Sequence, residues 1–195
     1  MSKWMANAYD TIMQPFEKNR FKKVRENLIR QATGDILEIG AGTGINFQYY
    51  KKDCIITAIE PDQAMRQLAF KRIGDRQITI HNEKAQSLPF EDQSFDTVVA
   101  TLVFCTISDP EQALTEILRV LKPGGKALFF EHVRVGHPVI GPIQDILTPV
   151  WKRIAGGCHL NRDTEQLITD AGLLVTRSYA FYQTIFQVIE TKKDN

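Results

Sequence analysis

Three glycines, Gly40, Gly42 and Gly44, interrupt the apolar stretch ILEIGAGTGINF. Lacking Cβ atoms, they let the backbone approach a ligand closely, and the first amides of a following helix would face an anionic or polar group. A dinucleotide loop of the form G-x-G-x-x-G needs its third glycine at position 45, where the chain has Ile45. The spacing is G-x-G-x-G instead, with Glu38 two residues ahead of the first glycine. Glu60, in ITAIEPDQAM, stands about twenty residues beyond the loop. A carboxylate there can accept both hydroxyl protons of a ribose lying across strand tips. Further along, Glu131 and His132 close another apolar run, and an imidazole titrates near working pH, as a base or substrate orienter should. His159, Asn161 and Arg162, with Asp145 and Trp151 before them, form a looser polar group. Cys54, Cys105 and Cys158 are odd in number and include no C-x-x-C pair, so neither a disulfide framework nor a zinc site is expected. The first two read as small core residues; the role of Cys158 stays open.

The elements that must position these groups alternate in kind. Five β-branched, apolar runs, at 35–40, 55–60, 77–82, 96–101 and 126–132, read as parallel strands, because longer stretches able to cross over follow them. Crossovers are expected at 46–51, 63–74 and 110–121. The last is the clearest helix: Ala113, Leu114, Ile117, Leu118 and Leu121 recur at helical spacing, Pro110 and Glu111 suit its first turn, and Lys122-Pro123-Gly124-Gly125 should stop it. The runs 173–180 and 184–191 leave no room for a helix between them and read as an antiparallel pair. The stretch 133–160 is long for a connection and holds three prolines, as functional caps often do. Its Ile143, Ile146, Leu147, Val150, Trp151 and Ile154 would pack in the core, roof a lipophilic acceptor or lie on a membrane surface.

Bulk properties narrow the partners. The chain's 195 residues fit one ordinary domain, and 43% apolar content can bury a core. With 24 basic and 23 acidic residues the net charge is only +1, which points to a small neutral substrate and away from nucleic acid. The N-terminal stretch is charged throughout, no apolar run reaches membrane-spanning length, and the cysteine usage suits a reducing cytoplasm.

The strings ILEIGAGTG, AIEPDQAM, LPFEDQSFDTVVA and LKPGG, in this order and spacing, resemble the class I S-adenosylmethionine-dependent methyltransferases, in the branch of small ubiquinone-biosynthesis-like enzymes. VATLVFCTI, FFEHV, Q-D-x-L-x-P-x-W and GCHLNR add a likeness to the mammalian alkyl-thiol S-methyltransferases and their bacterial relatives. The resemblance implies a Rossmann-like α/β fold: a seven-stranded, mostly parallel sheet with an antiparallel final strand and helices on both faces. Residues 1–195 would form a single domain, with lid helices in 1–30 and a substrate-side insert at 133–160. It also implies S-adenosylmethionine as cofactor and S-adenosylhomocysteine as product. The methionine part would lie over Gly40, Ala41 and Gly42, with Glu38 and Gly44 in the same loop, and Glu60 would take the ribose. Pro61, Asp62 and Met65 would flank the adenine, Ala85 and Gln86 would line its edge, and Tyr9 would close over the cofactor. Lys84 stands where many relatives carry an aspartate. Leu102 to Phe104 would run beneath the sulfonium, Phe104 on the acceptor side.

Methyl transfer from a sulfonium is an in-line displacement, and with an anionic nucleophile both charges vanish, so a dry apolar pocket helps. Positioning can supply roughly 7–11 kcal/mol. No metal is called for. A thiol, with a pKa near 8.5, already has some thiolate at neutral pH and needs little help from a base. The expected acceptor is a small lipophilic thiol, with His132 and Glu131 as catalytic candidates and Asp145, Trp151, His159 and Arg162 around the acceptor. The alternatives are O-, C- or N-methylation of a quinone, phenol or amino lipid, or a cofactor-binding protein without turnover. An NAD-dependent oxidoreductase is opposed by Ile45 and by the lack of a Tyr-x-x-x-Lys pair.

Overall fold

The computed structural model describes residues 20–194. Seven strands form one sheet: β1 (Asp35–Ile39), β2 (Ile55–Ile59), β3 (Ile78–His81), β4 (Phe95–Thr101), β5 (Leu121–His132), β6 (Leu174–Phe181) and β7 (Phe186–Lys192). Their spatial order is β3-β2-β1-β4-β5-β7-β6. The first five run parallel, and β7 inserts antiparallel between β5 and β6. Helices α1 (Arg20–Ile29), α2 (Gln63–Phe70), α3 (Pro110–Val120), α4 (Ile140–Ile154) and α5 (Thr164–Asp170) complete the layers. The order turns back at β1 and β4, and in open α/β sheets the crevice outside the strand tips at such a point is where ligands bind.

Successive side chains alternate between the two faces of the sheet, so each strand feeds two cores. Leu37, Val98, Ala100 and Phe129 pack with Leu114 and Ile117 of α3. Ile36, Val99, Leu128 and Phe130 pack on the other face with Phe21, Leu28 and Ile29 of α1. Aromatic rings edge together there: Phe21 lies 5.1 Å from Phe130 and 4.8 Å from Phe186. Residues 20–29 therefore pack as a layer against the sheet. Tyr9 lies outside the described residues.

Two expected elements differ. The crossover at 46–51 is only a 3₁₀ turn, Phe47–Tyr49, too short to expose a run of free helix amides to a ligand. Lys122 to Gly125 do not merely stop α3. They enter β5 as an irregular start, where Leu121 pairs with Phe95 and the register then shifts so that Lys126 pairs with Thr97. Asp109 caps α3 by accepting from Gln112 N–H, and Asp62 caps α2 in the same way through Ala64 and Met65.

Candidate active site

The glycine turn after β1 is tied to the tip of β2. Ala41 N–H donates to the Ile59 carbonyl at 3.0 Å. Gly42 N–H donates to Glu60 Oε2 at 2.8 Å, and Asp62 N–H to Oε1 at 2.9 Å. Glu60 is thus held by backbone on both oxygens, yet each keeps a lone pair for another donor. Burial pushes its carboxyl up, and the amides of Asp62 and Gly42 pull it back. The glycines differ in what surrounds them. At Gly42, with φ +55°, a Cβ would enter open space; at Gly44 it would lie 2.8 Å from the Phe47 ring and 3.0 Å from Ala69 Cα. A side chain at Gly42 would thus meet nothing, whereas Gly44 is closed off by packing.

A cavity of about 250 Å³ opens beside this turn, lined by Gly40, Glu60, Pro61, Ala85, Gln86 and Ile107. Glu60 stands at one end, Pro61 and Ile107 offer apolar walls, and Gln86, hydrogen-bonded to Ser108 Oγ at 2.8 Å, offers a polar edge. Those are the acceptor, slot and edge that a nucleoside needs: a carboxylate for the diol, flat apolar surface for the base, and an amide for its rim. Lys84, Thr106 and Ser108 also line it. Thr106 to Ser108, further along the loop after β4 than Leu102 to Phe104, were not expected at this wall, since nothing local in the sequence fixes which way that loop folds.

Glu38 lies on the other face of β1, 1% exposed, where Asn46 Nδ2 donates to it at 2.8 Å and the Tyr50 hydroxyl at 2.9 Å. Arg25 of α1 bonds Asn46 Oδ1 at 2.9 Å and Thr101 Oγ1 at 2.7 Å. Burial pushes the Glu38 carboxyl up to about 7 against those hydrogen bonds. Glu38 so braces the turn from beneath, through Asn46. Met65, on α2, and Ala41 are buried in the protein and are not on the cavity wall. Arg25 carried no sequence signal of this role beyond sitting among Phe21, Val24 and Leu28 on an apolar helix face.

Past β4, Leu102 adopts φ +54°, a conformation costly for a branched side chain, and donates its N–H to the Phe130 carbonyl at 2.7 Å. Its side chain packs toward α1, and Val103 faces the cavity instead. Phe104, expected on the acceptor side, is fully buried with its ring edge 5.3 Å from Phe129. The cause is Glu131: Oε1 accepts from Val103 N–H and Oε2 from Phe104 N–H, each at 3.1 Å. Glu131 has no exposed surface, and burial pushes its carboxyl up to about 8. As a catalytic candidate it is corrected: it shapes the loop and has no surface with which to touch substrate.

His132 points to the opposite face of β5, its ring edge-on to Phe186 with centroids 5.8 Å apart. Its Nδ1 is buried and has no hydrogen-bond partner among the described residues. Burial pulls the imidazole below its ordinary range, which keeps it neutral. The end of the insert does return to the β4 loop: His159 N–H donates to the Cys105 carbonyl at 2.8 Å, and Arg162 Nη1 bonds the carbonyls of Phe104 and Ile107. Asp145 does not face the crevice. It pairs with Arg134 at 2.8 Å and accepts from Asn161 Nδ2 at 3.0 Å, fastening the insert to itself. Trp151 is 43% exposed and hydrogen-bonds Cys158, whose thiol is pulled down to about 7, chiefly by its hydrogen bond with Cys105. No group of three or more potential metal ligands occurs among the described residues.

Residues 37–129 match the family described as "Methyltransferase domain". Thiol S-methyltransferase TMT1B of Homo sapiens is 32% identical over 168 residues, covering 78% of this chain and 68% of that protein. The chain belongs to the class I S-adenosylmethionine-dependent methyltransferases. Enzymes of this family use S-adenosylmethionine and release S-adenosylhomocysteine. Thiol S-methyltransferase TMT1B of Rattus norvegicus is 34% identical over 160 residues, and the chain spans 65% of its length. Among solved structures, a methyltransferase of Thermotoga maritima shares the fold with a TM-score of 0.74 at 21% identity, over 98% of each chain. The cavity beside Glu60 accordingly lies where the fold's ligand crevice is expected, and its lining suits the adenosine half of the cofactor.

Proposed function

We propose that this methyltransferase transfers a methyl group to the sulfur of a small lipophilic thiol. The carrying observation is His132: an imidazole kept neutral by burial, with Nδ1 unpaired among the described residues, at the tip of the strand next to the cofactor crevice. The likeness to the two thiol S-methyltransferases supports the choice of sulfur. S-adenosylmethionine, when bound, supplies an electrophilic methyl on a sulfonium.

The chain's own residues then do the positioning. Glu60 would hold the ribose diol with the lone pairs left over from Gly42 and Asp62, and Pro61, Ala85, Gln86 and Ile107 would surround the adenine. The turn at Gly40 to Gly42 would lie under the methionine part. Glu131 fixes Val103 and Phe104, and Arg162 grips the same loop from the insert, so the loop is held from two sides. His132, at the tip of β5, would border the acceptor and orient its sulfur. A thiol with a pKa near 8.5 asks no more than this, whereas a phenol or alcohol has less anion at neutral pH and leans harder on a base.

Incubation with methyl-labelled S-adenosylmethionine and a panel of hydrogen sulfide, alkyl thiols, phenols, quinols and amino lipids tests the acceptor. Label is expected in the alkyl thiols. Transfer confined to oxygen, nitrogen or carbon acceptors would remove the sulfur assignment and leave the family assignment untouched.

A further inference from the structure

Helix α4 is docked inside out. Its buried positions are Gly141, Gln144 and Thr148, and the side chains it turns outward are apolar. Gln144 Nε2 donates to the carbonyls of Val133 at 3.2 Å and Leu160 at 2.9 Å, and its Oε1 accepts from Val135 N–H at 2.7 Å. The Thr148 hydroxyl donates to the Gln144 carbonyl at 2.6 Å. Rotating the helix to hide its apolar side would break this satisfied set and leave Gln144 and the backbone groups it bonds without partners, so the orientation is fixed from within. Outside, Ile146 is 74% exposed, Ile154 66%, Val150 58% and Leu147 50%. With Ile143 and Trp151 they recur every three or four residues along one side of the helix. Soluble surfaces rarely carry so continuous an apolar stripe without a use for it.

Charge indicates the use. Residues 133–162 contain four basic side chains, Arg134, Lys152, Arg153 and Arg162, against one acid, Asp145, so this segment is +3 in a chain of net +1. Asp145 is already paired with Arg134. Lys152 and Arg153 are exposed at the helix's last turn, beside Trp151, whose ring is apolar with a polar N–H edge. We infer that α4 lies in the plane of an anionic lipid bilayer, its Ile, Leu, Val and Trp side chains in the acyl boundary and Lys152 and Arg153 among the phosphates. A cavity of about 700 Å³ opens at the foot of this helix between Gly136, His137, Ile140 and Gln183. Docking would set its mouth at the membrane surface.

The test is flotation of the full chain with phosphatidylcholine vesicles, with and without phosphatidylglycerol, at low and high salt. The wild type is expected to float with the anionic vesicles, and Ile146→Asp/Val150→Asp to lose about tenfold or more of that partitioning. Lys152→Glu/Arg153→Glu should lose the preference for phosphatidylglycerol and its salt dependence. All of these side chains are exposed, so stabilisation by S-adenosylhomocysteine should be unchanged in both variants and report intact folding. A wild type that stays with the soluble fraction, or an aspartate variant that floats as well as wild type, would overturn the inference. So would a dimer, seen by light scattering, that the aspartate substitutions convert to monomer, which would give this face to a second copy. None of these outcomes depends on which atom is methylated.

Discussion

In the turn after β1, Glu38 and Glu60 bond inward to Asn46, Tyr50, Gly42 and Asp62, and the apolar neighbours turn inward with them. In the insert after β5, Gln144 and Thr148 bond inward and the apolar side chains face out. Both regions use buried polar groups to set backbone shape, as unpaired buried groups are costly. The difference is where the hydrophobic surface goes. The first region is complete within the chain, and the second leaves its apolar side chains on the outside.

Substitutions at the braces separate the two regions. Glu131→Ala should have the largest effect, because it strands the buried amides of Val103 and Phe104 at a cost of about 3 kcal/mol, read as a lowered chemical-denaturation midpoint. Glu131→Gln keeps one acceptor oxygen and should lose less. Equal losses would mean that packing, not hydrogen bonding, holds the loop. Gln144→Ala should cost about 1–2 kcal/mol, felt locally. Hydrogen exchange should quicken across 133–162 and stay unchanged at β1 and β2; quickening at both would join the regions into one unit.

The smallest effect concerns pH. The Glu38 carboxyl is pushed up to about 7 in the fold, above its value in the unfolded chain, so the unfolded state binds fewer protons between about pH 5 and 7. Stability from this group therefore falls as pH rises through that window. Glu38→Gln removes the contribution, and the difference between the two stability profiles isolates it from the opposite trend of His132, whose lowered pKa costs stability as pH falls. Parallel profiles would show that Glu38 does not titrate there.

The strands and the carboxylate at the tip of β2 were legible because they are local: period-two apolar runs, and an acid placed a fixed distance beyond a glycine turn. The antiparallel β7 followed from a connection too short for a helix. What escaped was set by distant partners. Phe104 is turned into the core by a carboxylate on the neighbouring strand, Glu131, and Asp145 is drawn outward by Arg134. The apolar side of α4 was visible as a stripe, but its direction was not, because one glutamine making three bonds outweighs the usual tendency of apolar faces to turn inward. The short turn at Phe47–Tyr49 escaped because nothing in 46–51 distinguishes one helical turn from two.

The central claim is that Glu60 serves cofactor binding and His132 serves the acceptor. It is tested most directly by measuring S-adenosylhomocysteine affinity by calorimetry alongside methyl transfer to an alkyl thiol, in Glu60→Ala and His132→Ala. Glu60→Ala should lose binding and transfer together, and His132→Ala should bind as wild type while transferring at least about tenfold more slowly. A His132→Ala enzyme with undiminished turnover, or a Glu60→Ala enzyme that binds normally, would contradict the account.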